Sequence, residues 1–408
     1  MTTQDTFYRV SKTLRRLYLK EGTTGLLHRF DPSNLDDDTN EDHYFLTKAP
    51  TISPKEWISI SLDAARGNKG MASGLLNARM GSFLCNCTAE HLKATTVISF
   101  MEAYDSLGSN VLTPDLVTLC LAYTAVRPYN MDTANRYLQR AIELYPHISG
   151  PSTLSSQGLC RTWEDLEYRY GIRLLHEQDE YLVLSKPSGM VCYHDSNNDS
   201  NRNTNYNSHL SLEECLSHHF KISLSTLNAQ GKGMVHRIDR GTSGCFLVAK
   251  TNAAHATLLS QFFLRRVQKS YHAIVVTESA NDFNFDVNQE GRISMPIHGR
   301  PSESHYIVQE RLSSPRAVKL LIRTEQGRKH QVRIHCSKGW RAPILLDPLY
   351  GGRDIMSQFP SSCLQRFYSE HKFCLHASTL SIPEYDIHVE DPQPVWWQEV
   401  ERELKHPK

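Results

Sequence analysis

The sequence predicts an α+β domain built on a mixed or antiparallel sheet, preceded by a mainly helical amino-terminal domain. Three observations carry this reading. Before about residue 148, apolar residues recur at helical spacing. The stretch Ser149-Gly150-Pro151-Ser152-Thr153-Leu154-Ser155-Ser156 has the composition of a linker. Beyond it, strand and helix patterns mix without strict alternation, which argues for α+β rather than a doubly wound fold. The expected boundaries are 1–148 for the helical extension, 149–160 for the linker and 161–408 for the α+β domain.

The elements follow in order. In residues 1–20, Phe7, Val10, Leu14 and Leu17 recur at helical spacing among five basic residues. This reads as an ordinary first helix in preference to an amphipathic, Arg-rich transit peptide. Asn34 to His43 is acidic and polar, a solvated loop. From Ser53-Pro54 onward come apolar stripes through Trp57-Ile58-Ile60-Leu62, Leu75-Leu76-Met80-Leu84 and Val97-Ile98-Met101-Tyr104. Thr113-Pro114-Asp115 signals the start of a helix over Leu116–Val126, and Met131-Asp132 opens another reaching Leu144. The succession faintly resembles pentatricopeptide repeats, but three clear copies cannot be followed, so a generic helical domain is preferred.

Beyond the linker, Arg173–His176 and Tyr181–Leu184 read as paired strands around Gln178-Asp179. Asp195 to Ser208 is rich in Asn, Ser and Asp, a surface loop. Cys245–Ala249 is a buried strand. Asn252 is expected to cap a helix to about Val267, with Leu258, Leu259, Phe262 and Phe263 inward. Tyr271–Val276 and Ala317–Ile322 complete the strands.

The 408 residues suffice for two or three domains with ordinary cores. A formal net charge of +1 requires any polyanionic partner to meet a local basic patch. The ten cysteines are scattered without a Cys-x-x-Cys pair, so a zinc site is not expected and a reducing, intracellular setting is. No apolar run approaches bilayer-spanning length.

The chemistry concentrates in His236-Arg237-Ile238-Asp239-Arg240-Gly241-Thr242-Ser243-Gly244. Here one carboxylate stands between two arginines on a loop entering a strand, where it can serve as nucleophile or general base. A surface ion pair beside a turn is the bland reading of an isolated Arg-x-Asp-Arg. Four further segments weigh against it. Thr324–His335 carries Arg328, Lys329 and Arg333 with His330, Gln331 and His335. Leu184-Ser185-Lys186-Pro187-Ser188-Gly189-Met190 precedes it, Pro343–Gly351 follows, and Lys269-Ser270-Tyr271 lies between. In this order the motifs, from about Leu174 to Ile382, resemble the RluA-type family of RNA pseudouridine synthases. His-Arg-(Leu/Ile)-Asp-x-x-Thr-Ser-Gly is matched in full, and Gly-Arg-x-His-Gln-(Ile/Leu)-Arg-x-His with Val332 in the aliphatic slot.

That resemblance implies a curved sheet with a cleft on one face and isomerisation of uridine in RNA without cofactor or metal. Breaking the N1–C1′ bond, turning the base and joining C5 to C1′ changes no oxidation state. By the same resemblance Asp239 acts at the sugar, either attacking the nucleotide or removing a sugar proton. Arg333 pairs with it, and Tyr271 stacks on uracil and handles the C5 proton. Arg237 would displace the target base. Arg240, Lys186, Arg328 and Lys329 would contact phosphates, and His330 and Gln331 would orient substrate, although buried support of Arg333 is the preferred reading for His330 and His335. The expected partner is RNA (rRNA, tRNA or another structured RNA), with no membrane, and the expected state is a monomer.

Alternatives separate on residues. Protein kinases need an Asn after His-Arg-Asp and a glycine loop upstream, and neither is present. A nucleoside hydrolase would more often use two carboxylates or a metal. A non-catalytic RNA-binding module has no need of Asp239, Tyr271 and Arg333 together.

Overall fold

The computed structural model describes residues 3–29, 52–107, 111–146, 160–194, 210–228, 231–277, 286–312, 317–351 and 362–405. The acidic run at 34–43, the linker at 149–156 and the Asn/Ser-rich stretch at 195–208 lie outside them. The chain divides into two compact units, Met1–Pro146 with Ala256–Leu264 and His298–Pro301, and His147–His255 with Arg265–Ile297 and Ser302–Lys408.

The first unit is helical. Helix α1 (Thr3–Arg29) is broken at Gly22, whose φ of 70° lies outside helical geometry. Its Val10, Leu14 and Leu17 are buried, as the first-helix reading requires; the side chain of Phe7 lies outside the described ones. Helix α2 (Pro54–Ala65) starts at a capping box between Ser53 and Glu56. Next come α3 (Lys69–Asn86), α4 (Glu90–Ser106), α5 (Leu116–Val126) and α6 (Met131–Leu144). Helix α1 packs on α2 and α3, α4 on α5, and α5 on α6. Asp115 caps α5, accepting from the Thr118 amide at 2.8 Å, and also takes two hydrogen bonds from the Asn77 amide at 3.0 and 2.9 Å. Such a cap contributes about 1 kcal/mol, and here it also ties α3 to α5.

The second unit is built on a nine-stranded mixed sheet. After α7 (Trp163–Tyr170) come β1 (Arg173–Glu177), β2 (Tyr181–Lys186), β3 (Ser243–Ala249), α8 (Asn252–Phe263, which from Ala256 on belongs to the first unit), β4 (Gln268–Val276), β5 (Glu290–Ser294) and β6 (Glu303–Arg311). Then follow β7 (Ala317–Thr324), α9 (Gln331–Ile334), α10 (Ser362–Ser369), β8 (Leu375–Ile382), β9 (Ile387–Glu390) and α11 (Val395–Lys405). The strand order is β1-β2-β3-β8-β4-β7-β6-β5, with β9 added beside β8. Only β3 and β8 run parallel among the described pairs, Ser243 opposite His376 and Gly244 opposite Ala377. The α+β class follows from this sheet.

Every residue of β3 is buried, in keeping with its continuous apolar run. Leu182 and Leu184 of β2 join Phe246 and Val248 of β3 and Leu166 of α7 in one core. A second core gathers β4, β6, β7 and β8 around Trp397 of α11. Burying one such side chain contributes about 1.5–3 kcal/mol. The β3–β8 crossing explains one signature glycine. Gly244 has φ of 111°, and a Cβ there would come within 2.2 Å of the Ala377 carbonyl oxygen. Ser243 Oγ lies 3.0 Å from His376 Nδ1, and His376 Nε2 lies 3.0 Å from the Asp391 carbonyl. All three residues are buried, so this Ser-His-Asp series pins strands instead of facing substrate.

Helix α8 departs from expectation. Thr251 caps it, its hydroxyl accepting from the Ala254 amide at 3.1 Å. The Asn252 side chain instead accepts from Ser225 Oγ at 2.7 Å and the Thr226 amide at 2.9 Å. The helix stops at Phe263, and Arg265 adopts a left-handed φ of 58°. Of the four residues expected inward, Leu258 is buried, whereas Leu259, Phe262 and Phe263 are half-buried.

Candidate active site

The loop into β3 is held from both ends. His236 Nε2 accepts the Leu247 amide at 2.9 Å, and its ring stacks on Phe246 at 4.4 Å. Accepting that amide requires the neutral ring, and burial pushes the imidazole down to about 3. The Asp239 carbonyl then accepts the Thr242 amide at 3.1 Å, closing a tight turn. Gly241 permits the turn to lie flat on Phe373, because a Cβ would come within 2.0 Å of that ring.

From this turn the Asp239 carboxylate meets Arg333 of α9. Arg333 Nη1 donates to Asp239 Oδ2 at 3.0 Å. The same guanidinium grips Asp347 with two bonds, Nε to Oδ2 at 2.8 Å and Nη2 to Oδ1 at 2.9 Å. It lies between the rings of Tyr350 and Phe373, at 5.0 and 4.6 Å from their centroids. Burial opposes the charge on Arg333, but Asp347 and Asp239 outweigh it and raise its pKa above the ordinary value. The planar fork is therefore fixed by Asp347 and presents its remaining edge to Asp239.

His330 stands on the other side of Asp239. Its Nε2 lies 3.6 Å from Asp239 Oδ1 and its Nδ1 lies 2.8 Å from the Tyr350 hydroxyl. Burial, with Arg333 and Lys329, lowers its pKa against the pull of Asp239. Its φ of 57° is unusual outside glycine, and such conformations cluster at functional sites. Tyr271, on β4, pairs with Ile322 of β7 and with Ala377 of β8, where a bulge shifts the register. Bulges re-aim side chains. Burial first, then the charge of Asp239, pushes the Tyr271 phenol up, so it stays protonated at working pH. Its hydroxyl shares a hydrogen bond with Thr324.

A cavity of about 620 Å³ opens over these groups. Asp239, Arg333 and His330 line it, with Arg237, Arg240 and Lys329 supplying positive charge and Tyr193, Tyr368 and Phe373 supplying rings. Its size and mixture of apolar walls with a few convergent polar groups suit a small ligand or one residue of a polymer. Arg237 is exposed and lies over the Tyr193 ring at 5.7 Å. Arg240 Nε donates to the Gly189 carbonyl at 2.8 Å while the residue still lines the cavity. Tyr271 is not part of the lining.

Two expected contact residues take other roles, and a third does not line the cavity. Lys186 is fully buried and donates to the carbonyls of Pro187, Met190 and Arg240 at 2.8, 2.7 and 3.2 Å. Burial lowers its pKa to about 8, and it staples the Lys-Pro-Ser-Gly loop to the Asp239 turn. Gln331 is buried too, donating to the Glu303 carbonyl at 2.7 Å and accepting the Arg328 amide at 3.0 Å. The Arg328 side chain does not line the cavity, and its Nε and Nη2 are buried. Lys186 and Gln331 thus turn their polar groups to the backbone, and Arg328 is outside the cavity lining. His335 bonds Ser304 Oγ and the Met295 carbonyl from a buried position. Sequence reasoning missed Asp347, Tyr350 and Phe373. Asp347 and Tyr350 stand in the quoted Leu-Asp-Pro-Leu-Tyr-Gly run, and a buried-looking carboxylate there was the available signal.

Part of the chain is similar to known proteins. Residues 180–338 match the family described as RNA pseudouridylate synthase. The chain is 31% identical over 219 residues to ribosomal large subunit pseudouridine synthase D of Xanthomonas campestris, covering 51% of this chain and 61% of that one. It is 34% identical over 191 residues to the protein of that name from Zymomonas mobilis, covering 44% and 56%. The similarity thus spans about three fifths of the length of these curated relatives. Among solved structures it is similar to human RNA pseudouridylate synthase domain containing 4, at 19% identity and a TM-score of 0.41, covering 57% of this chain and 92% of that one. Over this matched region the chain is similar to RNA pseudouridine synthases.

Proposed function

We propose that this protein isomerises uridine to pseudouridine in RNA, with Asp239 as the carboxylate acting at the ribose and no cofactor. The observation that carries the reading is the Asp239–Arg333–Asp347 chain at a cavity bordered by Arg237, Arg240 and Lys329. Arg333 holds the Asp239 carboxylate in one orientation toward the bound nucleotide. Breaking N1–C1′ and forming C5–C1′ moves one proton from C5 to the freed N1, so the product has the composition of the substrate. Tyr271, whose phenol burial and the Asp239 charge keep protonated, supports the site from behind the cavity wall. Arg237 and Lys329 contact phosphates or the turned-out strand at the rim, and His330 orients Asp239 from its other side. Ribosomal or transfer RNA is the proposed partner, and the protein acts as a monomer inside the cell. Incubating the pure protein with RNA transcribed in vitro, free of modified bases, tests the reading. Pseudouridine should appear at discrete sites; none on any cellular RNA sequence would refute it.

A further inference from the structure

The two oxygens of the Asp239 carboxylate have different surroundings. Oδ2 accepts Arg333 Nη1 at 3.0 Å, and Arg333 is itself fixed by Asp347. Oδ1 faces His330, whose Nε2 lies 3.6 Å away, too far for a hydrogen bond but within ion-pair reach. The ring is anchored at its far side, with Nδ1 2.8 Å from the Tyr350 hydroxyl, and His330 lines the cavity beside Asp239. The charged groups around the ring come from different segments. Asp239 stands on the loop into β3, Lys329 and Arg333 on the loop of His330 and on α9, and Asp347 on the stretch that carries Tyr350. Arg237 and Arg240 border the same cavity. Burial, Arg333 and Lys329 favour the neutral ring against the pull of the two carboxylates.

We infer that His330 is a positioning residue that decides whether Asp239 Oδ1 is open to the ribose: the neutral ring leaves this oxygen to substrate, and the protonated ring seizes it. This rests on the reading of the protein as a pseudouridine synthase and adds to it which oxygen acts and which group controls it. An imidazolium donates from Nε2 to Oδ1 in a charge-assisted hydrogen bond once the ring closes the short gap. Both carboxylate oxygens are then engaged, one by Arg333 and the other by His330. Attack on the nucleotide and removal of a sugar proton both need a carboxylate lone pair, so either route stops. The acid limit of the reaction therefore belongs to His330, not to protonation of Asp239.

The test uses the full chain and one RNA carrying a uridine that the wild-type protein modifies. The substitution is His330→Asn, because asparagine tolerates the left-handed φ of 57° at this position. Single-turnover rates at subsaturating RNA, which report the free enzyme, are measured from about pH 8.5 to about pH 5. Melting temperatures in the same buffers separate loss of rate from acid unfolding. The acid midpoint should move down by about one pH unit or more in His330→Asn, so that below the wild-type midpoint the variant keeps about tenfold more of its own alkaline rate. A second measurement needs no turnover. The histidine NMR signal that His330→Asn lacks should titrate in wild type at the kinetic midpoint, and at lower pH in Asp239→Asn, where the attracting charge is gone. An unchanged kinetic midpoint in His330→Asn overturns the inference. If that variant is inactive at every pH, a wild-type signal that titrates away from the kinetic midpoint, or that ignores Asp239→Asn, overturns it equally. Absence of pseudouridine with the wild-type protein at every pH overturns the functional reading, and the inference with it.

Discussion

Asp347 is the residue whose importance emerges only on folding. It never touches the cavity's contents, yet it takes two of the three hydrogen bonds that fix Arg333. Replacing it with Asn leaves a neutral partner that can accept from the guanidinium at one atom only, so Arg333 can swing and Asp239 loses its orientation. We expect Asp347→Asn to lower kcat about 10–100-fold, the range a displacement near 1 Å produces, with KM changed little. Unpairing a buried charge also costs stability, about 3–5 kcal/mol in the extreme of full removal, so the melting temperature should drop. A variant with wild-type kcat and a lowered melting temperature would reduce Asp347 to a fold-stabilising group. At this scale Asp239 and Arg333 were legible because their motif neighbours are chemically distinctive. Lys186 and Gln331 were misread because burial does not show in a polar residue's identity. Only the fold brings three backbone carbonyls around one ammonium.

At the scale of elements, helix limits followed residue chemistry where a local cap decided them, as with Ser53-Pro54 before α2 and Asp115 before α5. They failed at α8, where a tertiary demand on Asn252 outbid its capping tendency. The elements also carry a pH dependence. His255 in α8 and His376 in β8 are buried and His236 beside β3 is half-buried, and desolvation lowers their pKa to about 4, 4 and 3. In the unfolded chain a histidine binds its proton near 6.5. Below that value the unfolded state takes up protons that the folded state refuses, so stability is full above about 6.5 and falls as pH drops toward 4. Thermal melting from pH 7.5 to 4.5 should show a steady decline beginning near 6.5. A flat profile across that window would mean that these rings are not held neutral by the fold.

For the whole molecule, the helical extension is more than an appendage, because Ala256–Leu264 of α8 belongs to the same compact unit as Met1–Pro146. Thr124 of α5 donates to Ser260 of α8 at 3.1 Å. No local signal announces such a partnership across more than a hundred residues, so a linker-centred reading of the sequence misses it. A chain beginning at residue 160 should therefore melt about 10 °C or more below the full chain, given 2–4 °C per kcal/mol of lost burial at this size. Equal melting temperatures would show that α8 needs no partner from residues 1–146. We propose that Asp239, oriented by Arg333, performs the isomerisation, and a single substitution distinguishes this from a structural role. Pseudouridine yield per enzyme on one RNA is measured for wild type and Asp239→Asn, alongside melting temperature and RNA affinity. The account predicts no detectable product from Asp239→Asn, with melting temperature and affinity close to wild type, because only a charge is removed at near-constant shape. Appreciable pseudouridine from the pure Asp239→Asn protein would contradict it.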